Sequence, residues 1–271
     1  MASDYAIAKF KYLKPLLLVH GHLNYDRLAE TLLYFFAKNA MYIFVLLWFQ
    51  FYNGFSCLAQ IDPLYLMLHQ VLFTSVPPIV AGIFDQTATL ERLDSEPQLY
   101  GVSRSGKKYR WFHFWLNMLD AVWQSLVVYY VVHFSFWNSD VHLWTFGFVQ
   151  QFLCVIVQLA HMALIVRCWT ILLLVSFLGS VALFLLFAFL YHGFVSATFF
   201  IKVEDPPVLT AQQSMVSLDF WLIVCVALVL ALLPRYVCTS VKRTVLPNEV
   251  ERPSPKERQQ LPTTTEAVER F

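Results

Sequence analysis

Apolar residues run along this chain in six long blocks, separated by shorter polar or charged stretches. The blocks cover 28–54, 63–84, 112–134, 144–166, 169–191 and 218–236. About 20 helical residues at 1.5 Å each cover a hydrocarbon core of about 30 Å, so each block is long enough to cross a bilayer. The pattern predicts an all-α membrane protein with six transmembrane helices. The 53–62 loop is short, which makes the first two spans adjacent antiparallel neighbours. Residues 85–110 form a polar, charge-rich loop. The segment after Val241 contains Pro247, Pro253, Pro255, Pro262 and the run "TTTE", and reads as disordered.

Composition agrees with a membrane protein: 58% of residues are hydrophobic and only 14% charged, against about 25% charged in soluble domains. The first 27 residues carry no signal-peptide pattern. The five cysteines form no CxxC pair, so neither a disulfide framework nor a zinc site is indicated.

Net charge is +1 and says nothing about partners, but its distribution does. With both termini cytoplasmic, the same side holds Lys9, Lys11, Lys14, Arg27, Arg92, Arg104, Lys107, Lys108, Arg110 and Arg167, and then Arg235, Lys242, Arg243, Arg252, Lys256, Arg258 and Arg270. The opposite face keeps only Lys202, and Lys38 is left within the membrane. The excess of lysine and arginine on the inner face fixes this orientation.

The polar residues inside the spans carry the candidate chemistry. Lys38 lies about 15 Å along its helix, near mid-membrane, where a lysine costs about 2.5 to 3.5 kcal/mol and needs a partner or a wet cavity. At 100° per residue, Lys38, Asn39, Tyr42, Gln50 and Asn53 share one face. A snorkelling or interhelical structural lysine is the bland alternative. In "LFTSVPPIVAGIFDQ", Pro77 and Pro78 lack the N–H groups that would bond the carbonyls of Phe73 and Thr74. The freed carbonyls, with Thr74 and Ser75, make a polar notch of the kind transporters use for binding. A proline kink that serves only packing is the competing reading.

In the third span Asp120 and Gln124 share a face, and Asp120 is the expected counter-ion of Lys38. The fourth span carries a stripe of Gln151, Gln158 and His161, where a hydrogen-bonded interior histidine is the favoured reading. His20 and His22 have no third ligand nearby, so a metal site is disfavoured. No catalytic constellation, phosphate loop or nucleic-acid patch is visible. A transporter or channel core is favoured over a membrane-embedded enzyme.

The stretch "SDYAIAKFKYLKPLLLVHGHLNYDRLAETLLYFFAKN" resembles the junction between the phosphorylation domain and the fifth membrane helix of type-IV P-type ATPases, the phospholipid flippases. The likeness continues in family order through "WFQFYNGFS", "LFTSVPPIVAGIFDQ", "PQLYGVSRSG", "FWLNMLDAVWQSLV", "LWTFG" and "LLPRYV", and "GHLNYDRLAETLLYFF" and "VAGIFDQ" look most like the class V members.

The resemblance implies that the six spans match helices five to ten of a ten-helix ATPase. Residues 1–27 are then the end of the phosphorylation domain and the stalk, 28–237 the six-helix transmembrane domain, and 238–271 a disordered cytoplasmic tail. Lys38 and Asn39 match the family's "YKN" motif, linked to lipid translocation. Thr74, Ser75, Pro77 and Pro78 match the broken sixth helix that helps line the lipid route. Tyr42, Gln50, Asn53, Gln70, Asp120 and Gln124 are the expected supporting polar residues, with no catalytic residue and no metal ligand in the chain. Ala37, Gln70 and Ile165 stand where the family has tyrosine, asparagine and glutamate.

The implied activity is ATP-driven movement of a phospholipid from the exoplasmic to the cytoplasmic leaflet of the plasma membrane or an endomembrane. An accessory β-subunit is the expected partner, and the class V likeness favours a choline-headgroup lipid or a glucosylated sphingolipid. The "DKTGT" aspartate, the nucleotide and actuator domains and the first four membrane helices do not occur in this sequence. Phosphoryl transfer needs that aspartate and magnesium, so ATP and Mg belong to the complete protein, and this chain alone is expected not to hydrolyse ATP. The alternative is a truncated, non-catalytic membrane paralogue acting as a scaffold or assembly decoy. A cation pump is disfavoured because the second span offers hydroxyls and no carboxylate before Asp85.

Overall fold

The computed structural model describes residues 6–104, 106, 109–195 and 209–245. Among the described residues the secondary structure is helical, without strands. Its main helices are α1 (His22–Tyr52), α2 (Pro63–Leu68), α3 (Val76–Phe84), α4 (Trp111–Ser135), α5 (Leu143–Ile165), α6 (Ile171–Leu190), α7 (Thr210–Val216) and α8 (Leu218–Val245).

The expected span from Leu28 is part of a longer rod. Short turns over Phe10–Tyr12 and Leu13–Pro15 and a π-helical segment at Leu16–Gly21 lead into α1, so helical backbone is continuous over the 43 residues Phe10–Tyr52. That is about 65 Å, roughly twice a hydrocarbon core. The rod stops where Gly54 takes a left-handed φ of +61°. The Phe55 amide then folds back onto the Gln50 carbonyl at 3.1 Å, which closes the helix end.

The second span starts sharply. The Asp62 carboxylate accepts the Leu64 amide at 2.8 Å and Pro63 occupies the first turn, a position where its missing N–H is no loss. The helix changes to a π-helical turn over His69–Phe73 and is interrupted at Thr74 (φ −128°, ψ 7°). It restarts as α3 with Pro77 and Pro78 near its beginning. The two prolines thus divide the span into two helices. At the end of α3 the Asp85 carboxylate accepts the backbone amides of Arg167 and Cys168 at 3.2 and 2.9 Å, fixing the α5–α6 corner.

Among the described residues, five helical segments are long and apolar enough to cross a membrane: Phe10–Tyr52, Pro63–Phe84, Leu143–Ile165, Ile171–Gly193 and Leu218–Lys242. The sixth expected span, α4, has the length, at 25 residues. It is less apolar because it carries His113, Asn117, Asp120, Gln124, Ser125 and His133. Of these, Asn117, Gln124 and Ser125 are buried against the other helices. At the other end of the chain, α8 runs through Pro234 to Val245, so 238–245 is helical and not tail. The expected disorder of 246–271, and Lys202, lie outside the described residues.

The bundle is organised around α5, the most enclosed of the long helices, with fourteen residues from Gly147 to Met162 buried. Helix α1 lies along α4, α8 packs on both α4 and α5, and α3 contacts α1 and α6. Phe73, Phe148, Phe152, Phe184 and Phe220 form an interlocking aromatic core. Close approach has a residue-level cause at Gly147: a Cβ there would fall 1.9 Å from the Gln60 carbonyl oxygen. Large apolar side chains such as Ile43, Met67, Val71, Leu178 and Leu222 point outward, the arrangement expected of a surface solvated by lipid.

Candidate functional site

Lys38 sits at the middle of the described bundle with only 2% of its surface exposed. Its Nζ donates to the Thr74 hydroxyl at 3.1 Å and reaches the Thr74 carbonyl at 3.5 Å. That carbonyl is one of the two freed by the prolines, since Pro78 has no N–H to offer it. The intramembrane lysine and the broken helix are therefore one site. The Phe35 ring lies 5.5 Å from Nζ and adds a weak cation–π contact. Among the described residues no carboxylate approaches Nζ within ion-pair distance.

The expected pairing of Lys38 with Asp120 is corrected by this geometry. Asp120 Oδ2 accepts from Arg235 Nη1 at 2.9 Å and from Gln124 Nε2 at 3.0 Å. The same Arg235 nitrogen donates to Asn117 Oδ1 at 2.9 Å, while Asn117 Nδ2 donates to the Leu33 carbonyl. Arg235, counted from sequence with the cytoplasmic charges, reaches back along α8 to α4 and takes the aspartate. A cavity of about 600 Å³ lies beside this pair, between α1, α4 and α8, with Tyr34, Trp123 and Pro234 on its walls; Lys38 does not line it.

Behind Lys38 the stripe on α5 forms a buried polar network. Gln158 Nε2 donates to the Lys38 carbonyl at 3.1 Å, and its Oε1 faces His69 Nε2 at 2.9 Å. Gln151 Nε2 faces His69 Nδ1 at 2.9 Å, and its Oε1 accepts the Tyr42 hydroxyl at 2.7 Å. A single tautomer of His69, with its proton on Nε2, satisfies all of these bonds with both glutamine amides in fixed orientation. The Tyr42 and His69 rings stack flat, 3.9 Å apart and 2° from parallel. Thr74 completes the arrangement by donating its hydroxyl to the His69 carbonyl at 2.8 Å. Tyr34 donates to the Gln158 carbonyl at 3.0 Å, and His161 Nδ1 meets the Gln124 amide, in keeping with the hydrogen-bonded interior histidine expected there.

The remaining predicted residues divide. Pro77 and Pro78 are buried at the break. Ser75 donates back across the break to the Val71 carbonyl and does not meet Lys38. Asn39 is half-buried and makes no side-chain hydrogen bond among the described residues. Gln70 is half-buried too, its Oε1 lacking a hydrogen-bond partner. Gln50 and Asn53 lie on the predicted face of α1 but at its far end, where both donate to the Leu58 carbonyl and hold the 53–62 loop. His69 was missed from sequence; an ionisable residue inside a span was the signal that could have found it.

The comparisons with known proteins agree with this architecture. The family model described as "Phospholipid-translocating P-type ATPase C-terminal" matches residues 1–248. Human "Phospholipid-transporting ATPase VA" is 37% identical over 251 residues, which is 93% of this chain and 16% of that protein. Human "Phospholipid-transporting ATPase VB" is 35% identical over 244 residues, 90% of this chain and 16% of the relative. "Phospholipid-transporting ATPase 1" of Arabidopsis thaliana is 30% identical over 255 residues, 92% of this chain and 21% of its own length. The chain therefore spans less than a quarter of the length of these relatives. With the match running from residue 1 past the end of α8 to residue 248, the chain belongs to the phospholipid-translocating P-type ATPase family, within its C-terminal region, and is similar to the class V members.

Proposed function

We propose that this chain is the C-terminal membrane part of an ATP-driven phospholipid flippase, in which Lys38 and the broken second span handle the lipid headgroup. The observation that carries the reading is a buried ammonium whose partners are neutral oxygens of an interrupted helix. A headgroup phosphate is a stronger partner for an ammonium than a threonine, because it adds the attraction of an opposite charge to the hydrogen bond, where the hydroxyl offers only a dipole. Thr74 would hold the lysine until a phosphate arrives, and the unwound backbone beside it can receive polar headgroup atoms.

In this reading α4 also crosses the membrane, giving six spans, its polar residues tolerated because they face the bundle. Both termini are then cytoplasmic, a reading that the distribution of basic residues supports. Residues 1–27 form the stalk from the phosphorylation domain. ATP and magnesium act in the soluble domains of the complete protein, an accessory β-subunit meets the exoplasmic loops, and lipid moves from the exoplasmic to the cytoplasmic leaflet.

The test is lipid-stimulated ATPase activity of the complete translocase carrying Lys38→Ala. Stimulation by phosphatidylcholine is expected to vanish while the purified protein stays folded; undiminished stimulation would exclude the role. Glucosylceramide, which has no phosphate, supplies the second arm: it identifies a sugar-headgroup substrate if it alone stimulates the wild type.

A further inference from the structure

The bonds around Lys38 form a closed ring. Lys38 Nζ donates to Thr74 Oγ1, Thr74 Oγ1 donates to the His69 carbonyl, the His69 ring meets Gln158 Oε1, and Gln158 Nε2 donates to the Lys38 carbonyl. His69 enters the ring twice, through its main chain and through its side chain, and is fully buried. It belongs to the π-helical turn that precedes the break, whereas Lys38 belongs to α1 and Gln158 to α5. The second edge of the imidazole, on Gln151, and its stacking on Tyr42 fix the ring plane.

We propose that His69 is the positioning residue of the headgroup step, locking α1, the broken span and α5 in the register that aims the Lys38 ammonium at the notch. The inference rests on the function proposed above. His69 meets no solvent and makes no contact with Nζ itself, so it acts through Gln158 and Thr74. Loss of its Nε2 edge leaves Gln158 Oε1 without its donor and lets the Lys38 turn drift from the break. Headgroup binding weakens as a result, and turnover at saturating lipid is retained. The Nδ1 edge, which meets Gln151 and through it Tyr42, contributes to packing and not to the aim of Lys38.

The two edges can be separated by substitution. Glutamine at this position places its amide near the imidazole Nε2, and asparagine places its amide near Nδ1. In the complete translocase, in detergent micelles doped with phosphatidylcholine, His69→Ala and His69→Asn are expected to raise the lipid concentration for half-maximal ATPase stimulation about tenfold, the scale set by one buried hydrogen bond. His69→Gln is expected to recover most of that loss, with maximal rates similar in all three. Gln158→Met, which leaves His69 in place, should shift the half-maximal concentration in the same direction and serves if the His69 variants do not fold. Equal shifts for glutamine and asparagine, or a fall in maximal rate with unchanged half-maximal concentration, would overturn the positioning role. Unimpaired stimulation in Lys38→Ala would instead remove the functional reading beneath it, so the two failures are distinguishable.

Discussion

Lys38 and Thr74 meet twice, through the threonine hydroxyl at 3.1 Å and through its carbonyl at 3.5 Å, and the second contact exists because Pro78 cannot bond that carbonyl. A charge placed in the membrane by α1 is matched to a backbone defect placed there by two prolines. Each is costly alone, and together they satisfy one another in part.

Replacing Lys38 with methionine keeps the apolar stem and removes the buried charge. Substituting a buried charge by a packed apolar side chain is often neutral or stabilising. The thermal midpoint of the purified translocase should therefore hold or rise while phosphatidylcholine stimulation is lost. A fall in both together would make Lys38 a structural staple.

Thr74→Val removes the hydroxyl that accepts from Lys38 and donates to the His69 carbonyl, at nearly constant volume. Leaving these buried groups short of a partner should cost about 1–3 kcal/mol. Thr74→Ser retains the hydroxyl and should lose less than half of that; the comparison of the two thermal unfolding curves decides it.

Asp120→Asn should leave lipid stimulation close to wild type, because Asp120 pairs with Arg235 and not with Lys38. Its effect belongs to stability: a double-mutant cycle with Arg235→Gln should give a coupling of about 1 kcal/mol, suited to a pair that is partly exposed to solvent. Loss of stimulation as severe as in Lys38→Ala would restore the counter-ion role.

Gly147→Ala drives a methyl group into the Gln60 carbonyl. Backbone on both sides limits relaxation, and overpacking should destabilise by about 1–3 kcal/mol or more. Thermal unfolding of the variant measures this, and a wild-type midpoint would mean that α5 can move away from the 53–62 loop.

Much of the architecture was legible because the bilayer imposes length on helices and charge on loops. The blocks ending at Phe84, near Ile165 and near Leu190 fall close to the observed helix ends, and the two prolines mark the break directly. The face of α1 was right in angle, yet Gln50 and Asn53 lie at the far end from Lys38 and tie a loop, because angle carries no information about depth. Asp120 was assigned to the wrong cation. Its partner Arg235 comes from the last helix, and pairing across 115 residues is not written in any local pattern. The α5 stripe was seen as polar, but that Gln151 and Gln158 grip the two edges of one imidazole needs the third dimension.

The uninterrupted helix from Phe10 to Tyr52 has a mechanical consequence. The only departures from regular α geometry in it lie at its start, ending with the π-helical segment at Leu16–Gly21. Beyond Gly21 the rod is regular α-helix, and Lys38 stands about 25 Å further along it. A tilt of roughly 5° about that segment would carry the Lys38 turn sideways by about 2 Å over this lever arm. That displacement is enough to part the ammonium from Thr74, so a small rotation outside the hydrocarbon core becomes the opening of a contact at its centre.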